Sequence, residues 1–243
     1  MVRCPRCDGT APSVAQFCPH CGAKLPPPEI SPLAAVLVVV SSFIAVTFGI
    51  PLLYMAGLPL TIPAITAMGE AMFLLIPLVY MLHRKVNVTR YVMLGSSRHV
   101  GLGLVLGICM LGVSFALSIV LTYFLGPSAS VEEANRAVIG LARESPVAMM
   151  LVVTLAGICE EFAFRGFLQN ALRRRYSLVV ALLGASLAFG ISHFDPQGTY
   201  IIATFVAGLF LGYFYDRYQS YMLAATAHAI FNVITLAILV LAG

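Results

Sequence analysis

Seven apolar runs dominate the chain, near residues 33–56, 62–82, 100–125, 147–171, 177–194, 199–215 and 221–241. A helix needs about 20 such residues to cross a bilayer. In hydrocarbon, every backbone N–H and C=O must also find its partner within the segment or its bundle. Runs of this number and length leave one fold class, an all-α polytopic membrane protein of about seven transmembrane helices. Of the 243 residues, 60% are hydrophobic and 10% charged, against roughly 25% charged in soluble domains. A disordered chain is excluded on the same ground. The fifth and sixth runs are short, so GISHFDPQG between them is expected to stop below the far surface. Pro51, Pro63 and Pro77 are expected to kink the first two helices. Gly101, Gly103, Gly107 and Gly112 give the third helix a small-residue packing face.

Topology follows from the basic residues. With the N-terminus inside, the inner segments hold Arg3, Arg6, Lys24, Arg84, Lys85, Arg90, Arg98, Arg173, Arg174, Arg175 and Arg217, and the outer ones only Arg136 and Arg143. This asymmetry places the N-terminus in the cytosol and the C-terminus outside the cell membrane. The net charge of +4 is spent on that orientation, and no nucleic-acid partner is expected. No cleavable signal peptide is read; the run beginning near Pro32 is taken as a retained helix. The outer loop 126–146 contains VEEANRAVIGLAR, with Val131, Ala134, Val138 and Leu141 on one helical face. It is expected to lie on the membrane surface with its charges solvated.

Before the first run stands a small head, residues 1–24, reading CPRCDGTAPSVAQFCPHCG between Cys4 and Gly22. Cys4 with Cys7 and Cys18 with Cys21 form two CxxC turns. Two thiolates from each can complete a tetrahedral zinc site, so the head reads as a minimal zinc ribbon holding structural zinc. A reducing cytosol favours metal over disulfides. His20, inside the second turn, is read as a spacer. So small a head draws its folding energy from the metal and offers a docking module for a cytosolic protein partner. Residues 25–32, LPPPEISP, form a stiff proline-rich linker.

The fourth run carries Glu160, Glu161 and Arg165, the fifth ends at His193, and the last carries His228 and Asn232. An ionisable side chain at mid-bilayer costs about 2.5–3.5 kcal/mol on insertion scales, so such a set reads as functional. At 1.5 Å of rise per residue, Glu160 lies roughly 20 Å above Arg173 and His193 roughly 25 Å above Tyr176. Similar depths allow the three helices to meet in one polar pocket. Glu161 and Arg165 are four apart and can pair, as are His228 and Asn232, while Glu160 points about 100° away from Glu161. Phe189 shares a face with His193 and can wall the pocket.

These residues fall in three motifs, EEFAFR (EExxxR), FGISH (FxxxH) and HAIFN (HxxxN), in that order on neighbouring apolar runs. Together they resemble the CPBP family of intramembrane endopeptidases. That family includes CAAX prenyl proteases, bacteriocin-processing and self-immunity proteins, and lysostaphin-resistance-like proteins. The resemblance covers residues 147–241, taken as a catalytic helical core, and leaves 33–146 as N-terminal transmembrane helices and outer loop. It implies that Glu160 is the base that activates a water, that His193 helps hold that water, and that His228 and Asn232 donate to the oxyanion. Glu161 and Arg165 brace the site. The substrate would be a membrane-associated protein or peptide at the lipid bilayer. Glu160, His193 and His228 also form a plausible metal set. The metal-free reading is preferred, because HExxH is absent and Asn232 makes better sense as a donor. Two rivals use the same residues, a non-proteolytic membrane scaffold and a proton-coupled transporter; the lack of an internal repeat speaks against the second.

Other residues have blander readings. Cys109 and Cys159 are taken as inert, His83 and His99 as interfacial, and Asp195 as a cap or loop residue. Tyr213, Tyr215, Tyr218 and Tyr221 are taken as an interfacial belt. Glu70, alone in the second run, has no account from sequence.

Overall fold

The structure is a computed structural model and describes residues 2–4, 6–11, 15, 17–24, 30–58 and 61–242. The linker reading falls largely on 25–29, outside the described residues. Strands β1 (Val2–Arg3) and β2 (Thr10–Ala11) pair antiparallel in the head. Helices follow: α1 (Pro32–Ile44), α2 (Ile50–Met55), α3 (Ile62–His83), α4 (Val88–Tyr91), α5 (Arg98–Leu125), α6 (Ala129–Glu144), α7 (Pro146–Glu161), α8 (Asn170–Arg173), α9 (Leu178–Ser192), α10 (Thr199–Tyr218) and α11 (Tyr221–Ala242). Two π-helical segments, Ala45–Gly49 and Phe162–Gln169, join α1 to α2 and α7 to α8.

Among the described residues, six helical stretches are long and apolar enough to cross a membrane: Pro32–Met55, Ile62–His83, Arg98–Leu125, Pro146–Arg173, Thr199–Tyr218 and Tyr221–Ala242. The seventh run forms α9, apolar but only 15 residues long. The chain is an integral membrane protein. Its outward faces carry exposed apolar side chains, such as Phe115, Tyr123 and Leu151, each about 70–80% exposed, as a lipid-facing surface does. In the loop after α9, Gln197 donates to the Leu125 carbonyl at the end of α5. Asp195 caps α10, accepting the backbone N–H groups of Thr199, Tyr200 and Ile201.

The three prolines sit in different settings. Pro63 sits in the first turn of α3, where its missing N–H costs nothing. Pro51 follows the first π segment, where a widened turn relieves the clash of its ring with the preceding turn. Pro77 alone lies inside a helix. The small face of α5 narrows to Gly103 and Gly107. A Cβ on either would come within 2.8 Å of the Leu223 or 2.7 Å of the Ala227 carbonyl oxygen of α11, whereas Gly101 and Gly112 face open space.

α6 is helical as expected, opened by the Ser128 cap. Its apolar face is covered by protein. Val138, Leu141 and Ala142 pack against Met149 of α7 and Leu236 of α11, so it lies over the ends of those two helices. The tyrosines do not form one belt. Tyr215 is buried with its hydroxyl on the Val92 carbonyl, and the Tyr221 hydroxyl donates to Ile158.

Candidate active site

Glu160 and Glu161 end α7, near the middle of the 146–173 stretch and directly before the second π segment. A π turn carries one residue more than an α turn and often marks a functional site. Every residue from Cys159 to Ala171 is buried. α11 passes α7 in the opposite sense. Gly157 marks the closest approach, where a Cβ would fall 2.5 Å from the Ala229 backbone nitrogen. Two bulky helices could not approach so closely, and the contact brings His228 against the two glutamates.

Glu161 is fully buried, and its Oε1 accepts twice: from Arg165 Nη1 at 2.6 Å and from His228 Nδ1 at 3.0 Å. The Arg165 guanidinium also lies over the Phe189 ring, 4.3 Å from its centre. The expected i, i+4 pair is therefore present, and it orients a histidine from another helix.

His193 closes α9. Its Nδ1 lies 3.0 Å from the Phe189 carbonyl oxygen, which can only accept, so Nδ1 carries the proton. Ser192 Oγ lies 2.9 Å from the same nitrogen. Edge-on contact with Phe189 and stacking on Tyr200 clamp the ring.

The two histidines turn their Nε2 atoms toward Glu160, His193 at 3.7 Å from Oε1 and His228 at 3.7 Å from Oε2. These separations exceed a direct hydrogen bond but let one small molecule touch carboxylate and imidazole together. Glu160 is 7% exposed and His228 5%, whereas the His193 side chain is a quarter exposed and marks the open side. Phe189 also meets the His228 ring edge-on, 5.7 Å between centres, and so walls the pocket as expected.

Asn232 follows His228 by one turn of α11. Its Nδ2 donates to the Val153 carbonyl at 3.2 Å, two turns before Glu160, so one amide hydrogen is committed to joining α11 to α7.

Several structural contributors carry no local sequence signal. The segment Tyr91–Leu94 is a hub beneath the site: Asn170 donates to the Tyr91 carbonyl, and Met93 and Leu94 carbonyls accept from the first N–H groups of α11. Arg173 pairs with Asp216 at 3.1 Å, tying α8 to α10. Glu70 of α3 comes within electrostatic reach of Glu160.

The head forms a second centre. Cys4, Cys7, Cys18 and Cys21 bring their sulfurs within 4.8 Å of one another, with Cys4–Cys21 and Cys7–Cys18 at 3.6 Å. A tetrahedral site with Zn–S bonds of about 2.3 Å needs sulfurs roughly 3.8 Å apart, so the four could bind a metal ion. The Arg6 N–H, chief among several donors, holds the Cys4 thiol down to about 7. At Cys7 the Gly9 N–H favours the thiolate, but the sulfurs of Cys21, Cys18 and Cys4, with burial, raise the thiol to about 12. Four thiols so close cannot all ionise without a cation between them. His20 Nε2 is given to the Thr10 carbonyl at 3.1 Å, as befits a spacer. Among the described residues only this quartet brings its ligand atoms so close; Glu160, His193 and His228 do not.

Residues 142–234 match the family model described as type II CAAX prenyl endopeptidase Rce1-like. The matched segment contains Glu160, Glu161, Arg165, His193, His228 and Asn232, and lies within a chain longer than the match at both ends. No curated protein and no solved structure matches the chain.

Proposed function

We propose that this chain, whose residues 142–234 match a family of CAAX-type prenyl endopeptidases, hydrolyses a peptide bond of a membrane-associated protein or peptide. The observation that carries the proposal is the convergence of His193 and His228 on the two oxygens of Glu160. A water beside Glu160 Oε1 and His193 Nε2 gives a proton to Glu160 and attacks the carbonyl carbon. The proton then passes from Glu160 to the leaving amine. A positioned base contributes about 10²–10⁴-fold. His228, faced by a carboxylate at each nitrogen, donates to the oxyanion from Nε2 when it carries a second proton. Asn232 donates from its remaining N–H. One such donor contributes about 10²–10³-fold. Arg165 and Glu161 act through His228, fixing its ring.

The head, residues 1–24, is proposed to hold structural zinc at Cys4, Cys7, Cys18 and Cys21 and to dock a cytosolic protein. Chemistry resides in 147–241. The excess of basic residues on one side supports a cytosolic N-terminus and an external C-terminus.

The test compares protein termini in membranes of host cells carrying the wild type or Glu160→Gln, which keeps shape and removes the base. A terminus lost in the variant supports the peptidase and names its substrate. If no terminus changes and Glu160→Gln still rescues a deletion phenotype, hydrolysis is not the role, and the chain acts as a membrane scaffold.

A further inference from the structure

Between the first π segment with α2 and the outer half of α3 runs a half-open groove of about 220 Å³, lined by Val46, Ile50, Pro51, Ile65, Gly69 and Phe73 together with Thr66 and Glu70. Its walls are apolar apart from the last two. The Thr66 hydroxyl is spent on the Ile62 carbonyl of its own helix. Glu70 differs: its Oε2 is buried and has no hydrogen-bond partner. An unpaired carboxyl oxygen in an apolar setting is costly unless something arrives to pair it.

The inner end of the groove is linked to the candidate site through packed rings. Phe73, at its inner end, packs on Phe164 at 5.7 Å, Phe164 on Phe189 at 5.1 Å, and Phe189 on His193 at 4.8 Å. Glu70 is itself within electrostatic reach of Glu160. A chain of buried rings thus links the groove's inner end to the histidines.

We propose that this groove holds the apolar residues of the substrate peptide beside its scissile bond, and that Glu70 is a specificity-determining residue whose carboxyl oxygen accepts a backbone N–H of that peptide. The inference rests on the peptidase reading and adds the place where the substrate lies. Complementarity selects the occupant. An extended peptide brought out of water carries N–H groups that need acceptors, and the groove offers one acceptor among apolar walls. A lipid acyl chain fills apolar space but has no N–H to give.

Binding can be separated from cleavage in Glu160→Gln protein reconstituted in nanodiscs. The probe is a fluorescent prenylated CAAX peptide, together with a series in which successive amide N–H groups near the scissile bond are replaced by ester oxygens. At one position the ester should weaken binding about tenfold, and that loss should vanish in Glu160→Gln/Glu70→Leu protein. In a protein that keeps Glu70, a photo-crosslinking residue at Ile65 should capture the same peptide. The inference is overturned if no ester position depends on Glu70, or if the crosslinker captures only lipid while peptide is bound. It is also overturned if Glu70→Leu stops cleavage by the wild type without changing peptide affinity, because Glu70 would then act on the reaction with Glu160. Wild-type protein that binds the peptide without cleaving it would sink the peptidase reading alone, since the ester result reports binding.

Discussion

At the scale of single residues, the site depends on one oxygen. Glu161 Oε1 is shared by Arg165 and His228, so Glu161 both neutralises a buried guanidinium and sets a ring. Glu161→Ala should destabilise by about 3–5 kcal/mol, because it strands Arg165, read as a lower unfolding temperature in detergent. Glu161→Ala/Arg165→Leu should recover most of that stability but not the activity, because His228 has still lost the acceptor at Nδ1. The Glu161–Arg165 pairing was legible in the sequence, since residues four apart on a helix must share a face. Asn232 was not. Its spacing from His228 put both on one face, but its acceptor at Val153 lies 79 residues away, and no local rule names such a partner. Glu70 had no reading for the same reason: only the packing of α3 on α7 brings it near Glu160.

Among the elements, the pairing of α7 with α11 decides whether the carboxylates and His228 meet. Gly157→Ala places a methyl 2.5 Å from the Ala229 nitrogen. Backbone cannot yield as a side-chain tip does, so a loss of about 1–3 kcal/mol is expected. Cleavage should fall further than stability, because Ala229 adjoins His228. Gly112→Ala is the contrast: its Cβ meets nothing within 4 Å, and melting and cleavage should both stay near wild type. The sequence showed that α5 had a small face but not which glycines were pressed, a matter of helix rotation in the bundle. The second π segment was also invisible. EEFAFRGFLQN reads as continuous helix because the widened turn is imposed by the neighbours that Arg165, Gln169 and Asn170 must reach.

On the scale of the whole molecule, a membrane body and a four-cysteine head make separate demands. If the head holds zinc, the protein as purified should contain one zinc per chain, and a chelator should remove it while cleavage persists. Loss of cleavage on chelation would favour a metal at Glu160, His193 and His228. Acid should also release the head's zinc. Cys7, raised to about 12, takes up a proton on losing the metal throughout the neutral range, whereas Cys4 does so only below about 7. Below about 7 Cys4 adds its proton to that of Cys7 when the metal leaves, so affinity falls more steeply there. Zinc content measured after equilibration across that range tests the sign. The bundle and the head were legible because both follow from composition and spacing. Six stretches are long enough to span, and α9, as apolar as its neighbours but 15 residues long, is the seventh apolar helix that the sequence counted with them.

The π segment after Glu161 has one more consequence. An extra residue in a helix turns everything beyond it by about 100°. Residues before the widened turn address α9 and α11 through Glu160 and Glu161, while those after it address α10 and the Tyr91 carbonyl through Gln169 and Asn170. One rod thereby serves two sets of neighbours that a regular helix would meet on different faces. Deleting a single residue between 162 and 169 would leave hydrophobicity and span length almost untouched, yet would rotate one half of the rod out of register with the other.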